Sequence, residues 1–318
     1  MAGQIFLIIL PVFLVIVVGL GLKQVGLLHD RLVNDLNRFV YYAALPALLF
    51  QKIATADFGS NFSFLTLAGL LAAIFLTFIF ASLWTLGRKY PPVVQGAFVQ
   101  ASVRGNLAYV GLAVINAVFG AAGVTKAGIL LGFLVPCMSI VSILALLLPW
   151  REKGQKFPVL EYLREIAFNP MFIGPVLGIL WSWLRLPLPE VMAQTLHIFT
   201  GMTLPVALIC TGASFSFQRF KGSAGTAILS SVIKVAFLPL LAALILFAFK
   251  VRGDDLAIAT LLAGTPTATV CSILASQLRG DSELSSAIIL ITTCASAFTC
   301  TAILYFLKMT GNLSEILF

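Results

Sequence analysis

Apolar residues in this chain form long continuous runs, separated by short polar stretches. The runs are rich in Leu, Ile, Phe, Ala and Val, and many approach the roughly 20 residues that a helix needs to cross a lipid core. The pattern lacks segments of about 10 residues with alternating polarity, which are typical of membrane β-barrel strands. It therefore predicts an all-α polytopic membrane protein.

Ten membrane-spanning segments are predicted. They cover residues 4–22, 33–55, 63–86, 92–119, 124–149, 166–184, 190–216, 223–249, 255–278 and 285–307. The first has neither the basic region nor the cleavage motif of a signal peptide, so we interpret it as a membrane helix. Residues 151–165 are the longest connection, and they predict a linker between the halves 1–150 and 166–318.

Composition supports the membrane class and excludes others. Hydrophobic residues make up 60% of the 318 positions, charged residues only 10%, and the mean hydropathy is +1.05. A soluble globule needs a more polar surface than this composition allows. The net charge of +8 arises from Lys and Arg spread over short loops, which disfavours nucleic acid as a partner.

The loop charges also predict an orientation. With the N-terminus outside, the inside connections hold twelve Lys and Arg residues and the outside ones six. Cytoplasmic loops carry an excess of these residues. We therefore expect a protein of the cytoplasmic (inner) membrane with both termini outside and the linker in the cytoplasm.

The sequence contains no pattern that indicates metal, redox or cofactor chemistry. The five cysteines lie in apolar surroundings without a C-x-x-C pair, and His29 and His197 are far apart in sequence. We interpret the cysteines as apolar core residues and predict no cofactor and no metal. His197 is interpreted either as a proton-linked group or, preferably, as a hydrogen-bonded structural histidine.

The two halves of the chain resemble each other. A shift of 159 residues superimposes Pro11 on Pro170, Phe13 on Phe172, Gly19 on Gly178, Pro46 on Pro205 and Gly105 on Gly264. Proline and glycine matches carry most weight because both residues constrain backbone geometry. Five spans per half is an odd number, so the pattern predicts two inverted five-helix repeats.

Segments four and nine are predicted to be broken helices. Segment four would measure about 42 Å as one helix, and Arg104, Gly105 and Asn106 interrupt it. Segment nine carries Gly264, Thr265, Pro266 and Thr267 at the matching depth. Two such breaks would bring half-helix ends together near the membrane midplane, where half-helix N-termini favour an anion. The alternative is a pair of ordinary kinks, which would leave Arg104 unexplained.

Two basic residues, Arg104 and Lys234, are the clearly intramembrane ionisable groups of the sequence. A charge at membrane depth is costly and marks function by default. Both favour an anionic substrate. Lys234 would either contact the substrate or neutralise the C-terminal dipole ends of the broken helices, and Arg104 would bind substrate or only shape the potential of a cavity.

The remaining candidates are polar or bending residues. Asn106 is the strongest candidate for direct binding because an amide at a helix break both donates and accepts. The other polar candidates are Gln100, Asn116, Thr265, Thr267 and Thr269. Pro46 and Pro205 are predicted to bend segments two and seven beside the crossing.

Several blocks along most of the chain match the pattern of a known family. They are 36–50 (LNRFVYYAALPALLF), 105–111 (GNLAYVG), 168–170 (FNP), 207–215 (ALICTGASF), and Lys234 with Pro239. In these blocks the chain resembles the auxin efflux carrier family of bacterial and plant transporters. Asn106 falls at the family's crossover asparagine. Plant members have proline before that asparagine and a long cytoplasmic loop; Gly105 and the short linker therefore disfavour auxin itself.

The resemblance implies an inverted-repeat fold like that of sodium/proton antiporters and bile-acid symporters. Helices four and nine would cross, helices 3–5 and 8–10 would form a moving core, and helices 1, 2, 6 and 7 a scaffold. It also implies small organic anions as substrates, malate or malonate in bacterial relatives. The leading hypothesis is therefore a secondary active transporter of carboxylate anions that works by elevator-type alternating access.

Other hypotheses differ in what happens after the anion binds. The main alternative is an anion channel or a non-transporting membrane receptor of the same fold. A membrane enzyme lacks support, since the sequence has no H-E-x-x-H motif, no intramembrane Asp pair and no serine with a plausible base. The absence of a sodium-site carboxylate favours protons or the membrane potential as the driving force, and a homodimer through the scaffold would suit a sliding core.

Overall fold

The computed structural model describes residues 2–56, 58–150, 168, 170–215 and 224–312. The predicted linker at 151–165 lies outside these ranges. Six of the described helices are long and apolar enough to cross a membrane: Ala2–Gln24, Phe64–Gly87, Leu107–Trp150, Glu190–Ala213, Ala224–Ala248 and Ser282–Met309. They confirm the predicted class of a polytopic α-helical membrane protein, whereas the count of ten spans stays a prediction.

The structure describes fifteen α-helices within these ranges. In chain order they are α1 Ala2–Gln24, α2 Asp30–Phe39, α3 Leu45–Ala54, α4 Phe58–Asn61, α5 Phe64–Gly87, α6 Pro92–Val103, α7 Leu112–Leu147, α8 Pro170–Trp183, α9 Glu190–Gly201, α10 Thr203–Ala213, α11 Ala224–Val232, α12 Leu238–Ala248, α13 Gly253–Ala263, α14 Val270–Gln277 and α15 Ser282–Met309. A 3₁₀ turn, Leu148–Trp150, extends α7.

Within the described ranges, three π-helical turns interrupt this α-helical pattern. They are Val40–Ala44 between α2 and α3, Leu107–Gly111 before α7, and Ile233–Phe237 between α11 and α12. Single π-helical turns are rare in proteins, and those that occur are often found at functional sites. One of them directly follows the first predicted helix break, and another contains Lys234.

Gly120 causes the bend in α7, whereas bending of segments two and seven by Pro46 and Pro205 stays a prediction. Gly120 has φ 59° and ψ −152° inside α7, and it separates predicted segments four and five. This conformation is accessible to glycine because it has no Cβ. Pro46 is the second residue of α3 after a π-helical turn, and Pro205 is the third residue of α10 after the interruption at Met202. Both prolines therefore lie within the first turn of a helix, where a missing N–H is tolerated.

Two pairs of helices approach each other closely enough for backbone contact. Gly19 of α1 lies against the backbone of Ile209 in α10, and Gly178 of α8 lies against Phe50 and Ile53 in α3. Glycine allows this approach, as it does in many membrane-helix interfaces. Gly19 and Gly178 are 159 positions apart, and so are Phe50 and Ile209.

Candidate functional site

Both predicted helix interruptions are present at the predicted residues. After α6 ends at Val103, Arg104 adopts an extended conformation with ψ 103°, and Asn106 has φ −80° and ψ 62°. On the other side, α13 ends at Ala263 and α14 begins only at Val270. The chain therefore leaves the helical conformation at both places, and the alternative of two ordinary kinks is wrong.

The two interruptions meet and exchange backbone hydrogen bonds. Gly105 and Thr267 form an isolated antiparallel bridge. The N–H of Asn106 donates to the carbonyl oxygen of Pro266 at 2.7 Å, and the N–H of Ala268 donates to that of Arg104 at 3.0 Å. Broken helices are tolerated in a membrane only where their freed backbone groups find partners. Here each break supplies partners for the other, and we call this contact the crossover.

Gly105 lies at the tightest point of the crossover. A Cβ at this position would collide with Thr265 Oγ1 and would lie 3.1 Å from Leu107 Cδ2 and 3.4 Å from Lys234 Nζ. Residue 105 therefore brings the backbone of the first break next to the second break and to the Lys234 ammonium. A side chain here would separate them.

The predicted threonines of the second break hold the crossover together. Thr265 Oγ1 donates to the carbonyl oxygen of Leu262 at 2.7 Å, and Thr267 Oγ1 donates to that of Ala101 at 2.8 Å. The N–H of Thr267 donates to Thr292 Oγ1 of α15 at 3.0 Å. Both hydroxyl protons are therefore used within the protein. Sequence reasoning missed Thr292 because it lies in an uninterrupted apolar helix.

Lys234 is fully buried, with 0% exposure, and its ammonium group has an internal partner. The Nζ donates to the carbonyl oxygen of Ala263, the last residue of α13, at 2.7 Å. The last carbonyls of a helix lack intrahelical partners and carry partial negative charge. Of the two roles predicted for Lys234, the geometry matches neutralisation of a half-helix C-terminus.

Two buried amides near the first break have polar atoms without partners. Asn106 is 6% exposed, and its Nδ2 forms no hydrogen bond with the residues the structure describes. Gln100 is 0% exposed, and both its Nε2 and its Oε1 are unpaired within the same part of the chain. A buried unpaired amide is destabilising and needs an explanation. The Asn106 donor is adjacent to the free N-terminal end of the half-helix that begins at Leu107.

Arg104 differs from its neighbours in exposure and in pairing. Its side chain is partly exposed, whereas Gly105 and Asn106 are buried. The guanidinium forms no hydrogen bond or ion pair with any described residue. Tyr41 of the first π-helical turn and Cys271 of α14 are close enough to interact with it electrostatically.

Other sequence candidates do not share this environment. Asn116 is exposed on α7, ten residues beyond Asn106, which corresponds to about 15 Å along a helix. His197 is exposed on α9. Thr269 is partly buried at the start of α14. In the described part of the chain, no group of three or more His, Cys, Asp or Glu could hold a metal ion.

Comparisons with known proteins agree on a transport role for similar chains. A family model described as "Membrane transport protein" matches residues 4–304. An uncharacterized transporter of Methanothermobacter thermautotrophicus is 26% identical over 290 residues, covering 91% of this chain and 93% of its own. An uncharacterized transporter of Methanocaldococcus jannaschii is 24% identical, with 90% and 93% covered. A Rhizobium meliloti protein named "Putative malonate transporter" is 26% identical, with 91% and 93% covered.

Proposed function

Because the chain belongs to the membrane transport protein family of auxin efflux carriers, we propose that it is a secondary active transporter of small organic carboxylate anions. The family match covers residues 4–304, and the related proteins named above are called transporters. The observation that carries the substrate class is the crossover, where Asn106, with its unpaired Nδ2, is two residues from Arg104, whose guanidinium is also unpaired among the described residues.

The chemistry of the crossover favours an anion over a cation. Arg104 and Lys234 are basic residues, and the half-helix at Leu107 presents its N-terminal end. A helix N-terminus has free N–H donors and partial positive charge. The described residues of the crossover include no carboxylate that would attract a cation. A carboxylate would supply the acceptors that Asn106 and Arg104 lack.

Malonate is the first substrate to test. One relative carries malonate in its printed name, and this chain covers 93% of that relative. Malonate carries two carboxylates separated by one methylene, so one group could bind Asn106 and Arg104 while the other stays outside this contact. We therefore propose malonate or another short carboxylate as the substrate.

We also propose that the fold consists of ten spans in two inverted five-helix repeats, 1–150 and 166–318. The contacts of Gly19 with Ile209 and of Gly178 with Phe50 support this. A shift of 159 positions relates Gly19 to Gly178 and Phe50 to Ile209, so the two contacts join equivalent residues. Thr203 Oγ1 donates to the carbonyl oxygen of Ala44 at 3.3 Å, and these residues are also 159 positions apart. Contacts between equivalent positions are expected near a twofold axis that relates inverted repeats.

The proposed mechanism is elevator-type alternating access. Helices 1, 2, 6 and 7 of the ten-span scheme correspond to α1, α2–α3, α8 and α9–α10, and they would form the scaffold. The glycine contacts of α1 with α10 and of α8 with α3 support this group, since all four helices belong to it. The crossover would move with the remaining helices, driven by protons or by the membrane potential.

Counterflow in proteoliposomes tests the transport proposal. Vesicles containing the purified protein and internal malonate should accumulate labelled malonate in a saturable manner, and empty vesicles should not. A flux that rises linearly with concentration and carries current would favour the anion channel instead. Malonate binding without flux would favour a receptor.

A further inference from the structure

The two cations of the crossover differ in what the protein already provides for them. Lys234 is 0% exposed and donates to Ala263 at 2.7 Å. This contact gives the ammonium an acceptor at the C-terminus of α13, which favours a cation by its dipole. Lys234 therefore has a structural role that needs no ligand.

Arg104 has no such internal role for its side chain. Its backbone is held on both sides, since its N–H donates to Gln100 at 2.9 Å and its carbonyl oxygen accepts from Ala268 at 3.0 Å. The five N–H donors of its guanidinium group remain unpaired among the described residues. The backbone of Arg104 is thus held in place, whereas its guanidinium group is available to bind a ligand.

The local backbone places Arg104 and Asn106 on one side of the chain. Residues 104–106 are non-helical, and Gly105 between them pairs with Thr267 as in an antiparallel sheet. In extended chains, side chains two residues apart lie on the same face. By this alternation the Asn106 amide, 6% exposed and unpaired at Nδ2, shares a face with the partly exposed side chain of Arg104.

A carboxylate matches these two donors in charge and in shape. Guanidinium binds carboxylate through two parallel N–H···O hydrogen bonds, and a buried amide N–H supplies a third. We propose that Arg104 binds the substrate carboxylate directly and selects for it with Asn106, whereas Lys234 positions the crossover without touching substrate. This inference rests on the proposed function and assigns its selectivity to one side chain.

Acid and amide pairs measure that selectivity directly. Binding of malonate and succinate, and of malonamide and succinamide, is measured by calorimetry with the purified protein. Arg104→Gln should weaken binding of the acids about tenfold to a hundredfold, the range expected for hydrogen bonds to a charged group. It should leave amide binding unchanged, and Arg104→Lys should recover part of the loss because it restores the charge but not the paired geometry.

Two further variants separate selection from structure. Arg88 is exposed and lies over the Trp84 ring, 5.3 Å from its centroid, so Arg88→Gln should leave acid binding within twofold of the unaltered protein. Lys234→Gln should change acid and amide binding by the same factor. Arg104→Gln with acid binding unchanged, or Lys234→Gln with the acid preference lost, would overturn the inference.

Chemical modification provides a measurement that needs no variant. Phenylglyoxal labels accessible arginines, and mass spectrometry quantifies the label at Arg104 and Arg88 in the unaltered protein. Malonate should protect Arg104 and not Arg88; equal labelling with and without bound malonate would contradict direct contact. If neither acid binds the unaltered protein, the proposed carboxylate substrate fails, whereas acid binding that ignores Arg104 refutes this inference alone.

Discussion

Single residues at the crossover divide into those that hold the fold and those that have unused donors. Thr265, Thr267 and Lys234 each donate to a backbone carbonyl oxygen near the end of a half-helix. Asn106 Nδ2 and the guanidinium of Arg104 have no acceptor among the described residues. Substitutions should therefore affect stability in the first group and binding in the second.

Asn106→Ala should weaken malonate binding by about tenfold to a hundredfold without lowering the thermal midpoint. The amide nitrogen is buried and unpaired, so its removal takes away a hydrogen bond to the ligand but none within the protein. Calorimetry and thermal unfolding in detergent measure the two effects. Asn116→Ala, at an exposed position of α7, is the matched control; equal affinity in both variants would count against a site at the crossover.

Lys234→Met should lower the free energy of unfolding by about 1–3 kcal/mol, because the Ala263 carbonyl would be left buried and unpaired. Thermal or denaturant unfolding measures this change. Lys126→Met removes a partly exposed ion pair with Asp255, N···O 2.6 Å, and should cost at most about 1 kcal/mol. A smaller loss for Lys234 than for Lys126 would be inconsistent with the assigned role.

At the scale of helices, close packing depends on positions without side chains. α1 meets α10 at Gly19, and α8 meets α3 at Gly178, both in contact with the backbone of the facing helix. The crossover uses the same device at Gly105, where the two breaks and Lys234 converge. At the crossover the two breaks are thus held in backbone contact through the Gly105–Thr267 bridge, which leaves little freedom for its geometry.

Gly19→Leu and Gly178→Leu should each destabilise the protein by roughly 1–3 kcal/mol, because a larger side chain forces closely packed helices apart. Gly21→Leu is the control, since a Cβ at Gly21 meets nothing within 4 Å. Unfolding midpoints of the three variants give the comparison. If Gly19 and Gly178 occupy equivalent places in two repeats, the two substitutions should cause similar losses of stability. A loss of stability at only one of them would speak against equivalence.

Across the whole molecule, the orientation in the membrane is a testable consequence of the loop charges. Lys89 and Lys250 are both exposed residues with positive φ, 53° and 60°, just after the ends of α5 and α12. The positive-inside pattern puts Lys89 in the cytoplasm and Lys250 outside. The two positions therefore form a matched pair for labelling.

In a variant without its native cysteines, Lys250→Cys should react with a membrane-impermeant maleimide applied to intact cells. Lys89→Cys should react only after the membrane is permeabilised. The opposite result would reverse the predicted orientation, and reaction at both positions in intact cells would contradict the ten-span arrangement.

Prediction from sequence succeeded for features that depend on local chemistry. Apolar runs indicated the helices, and Gly105, Gly264 and Pro266 indicated where two of them break, because glycine and proline act on their own backbone. The family resemblance was confirmed by the match over residues 4–304. Asn116 and His197 were also candidates by residue type, yet both are exposed outside the buried environment of the crossover.

The sequence by itself determined the membrane class, the helix breaks and the presence of two basic residues, Arg104 and Lys234, within predicted spans. Only the tertiary structure decided how those groups are used. Lys234 meets Ala263, 29 positions away in the chain, while Arg104 meets no acceptor among the described residues. The physical reason is that a charge or a donor acquires its role from the partner that faces it, and those partners come from helices distant in sequence.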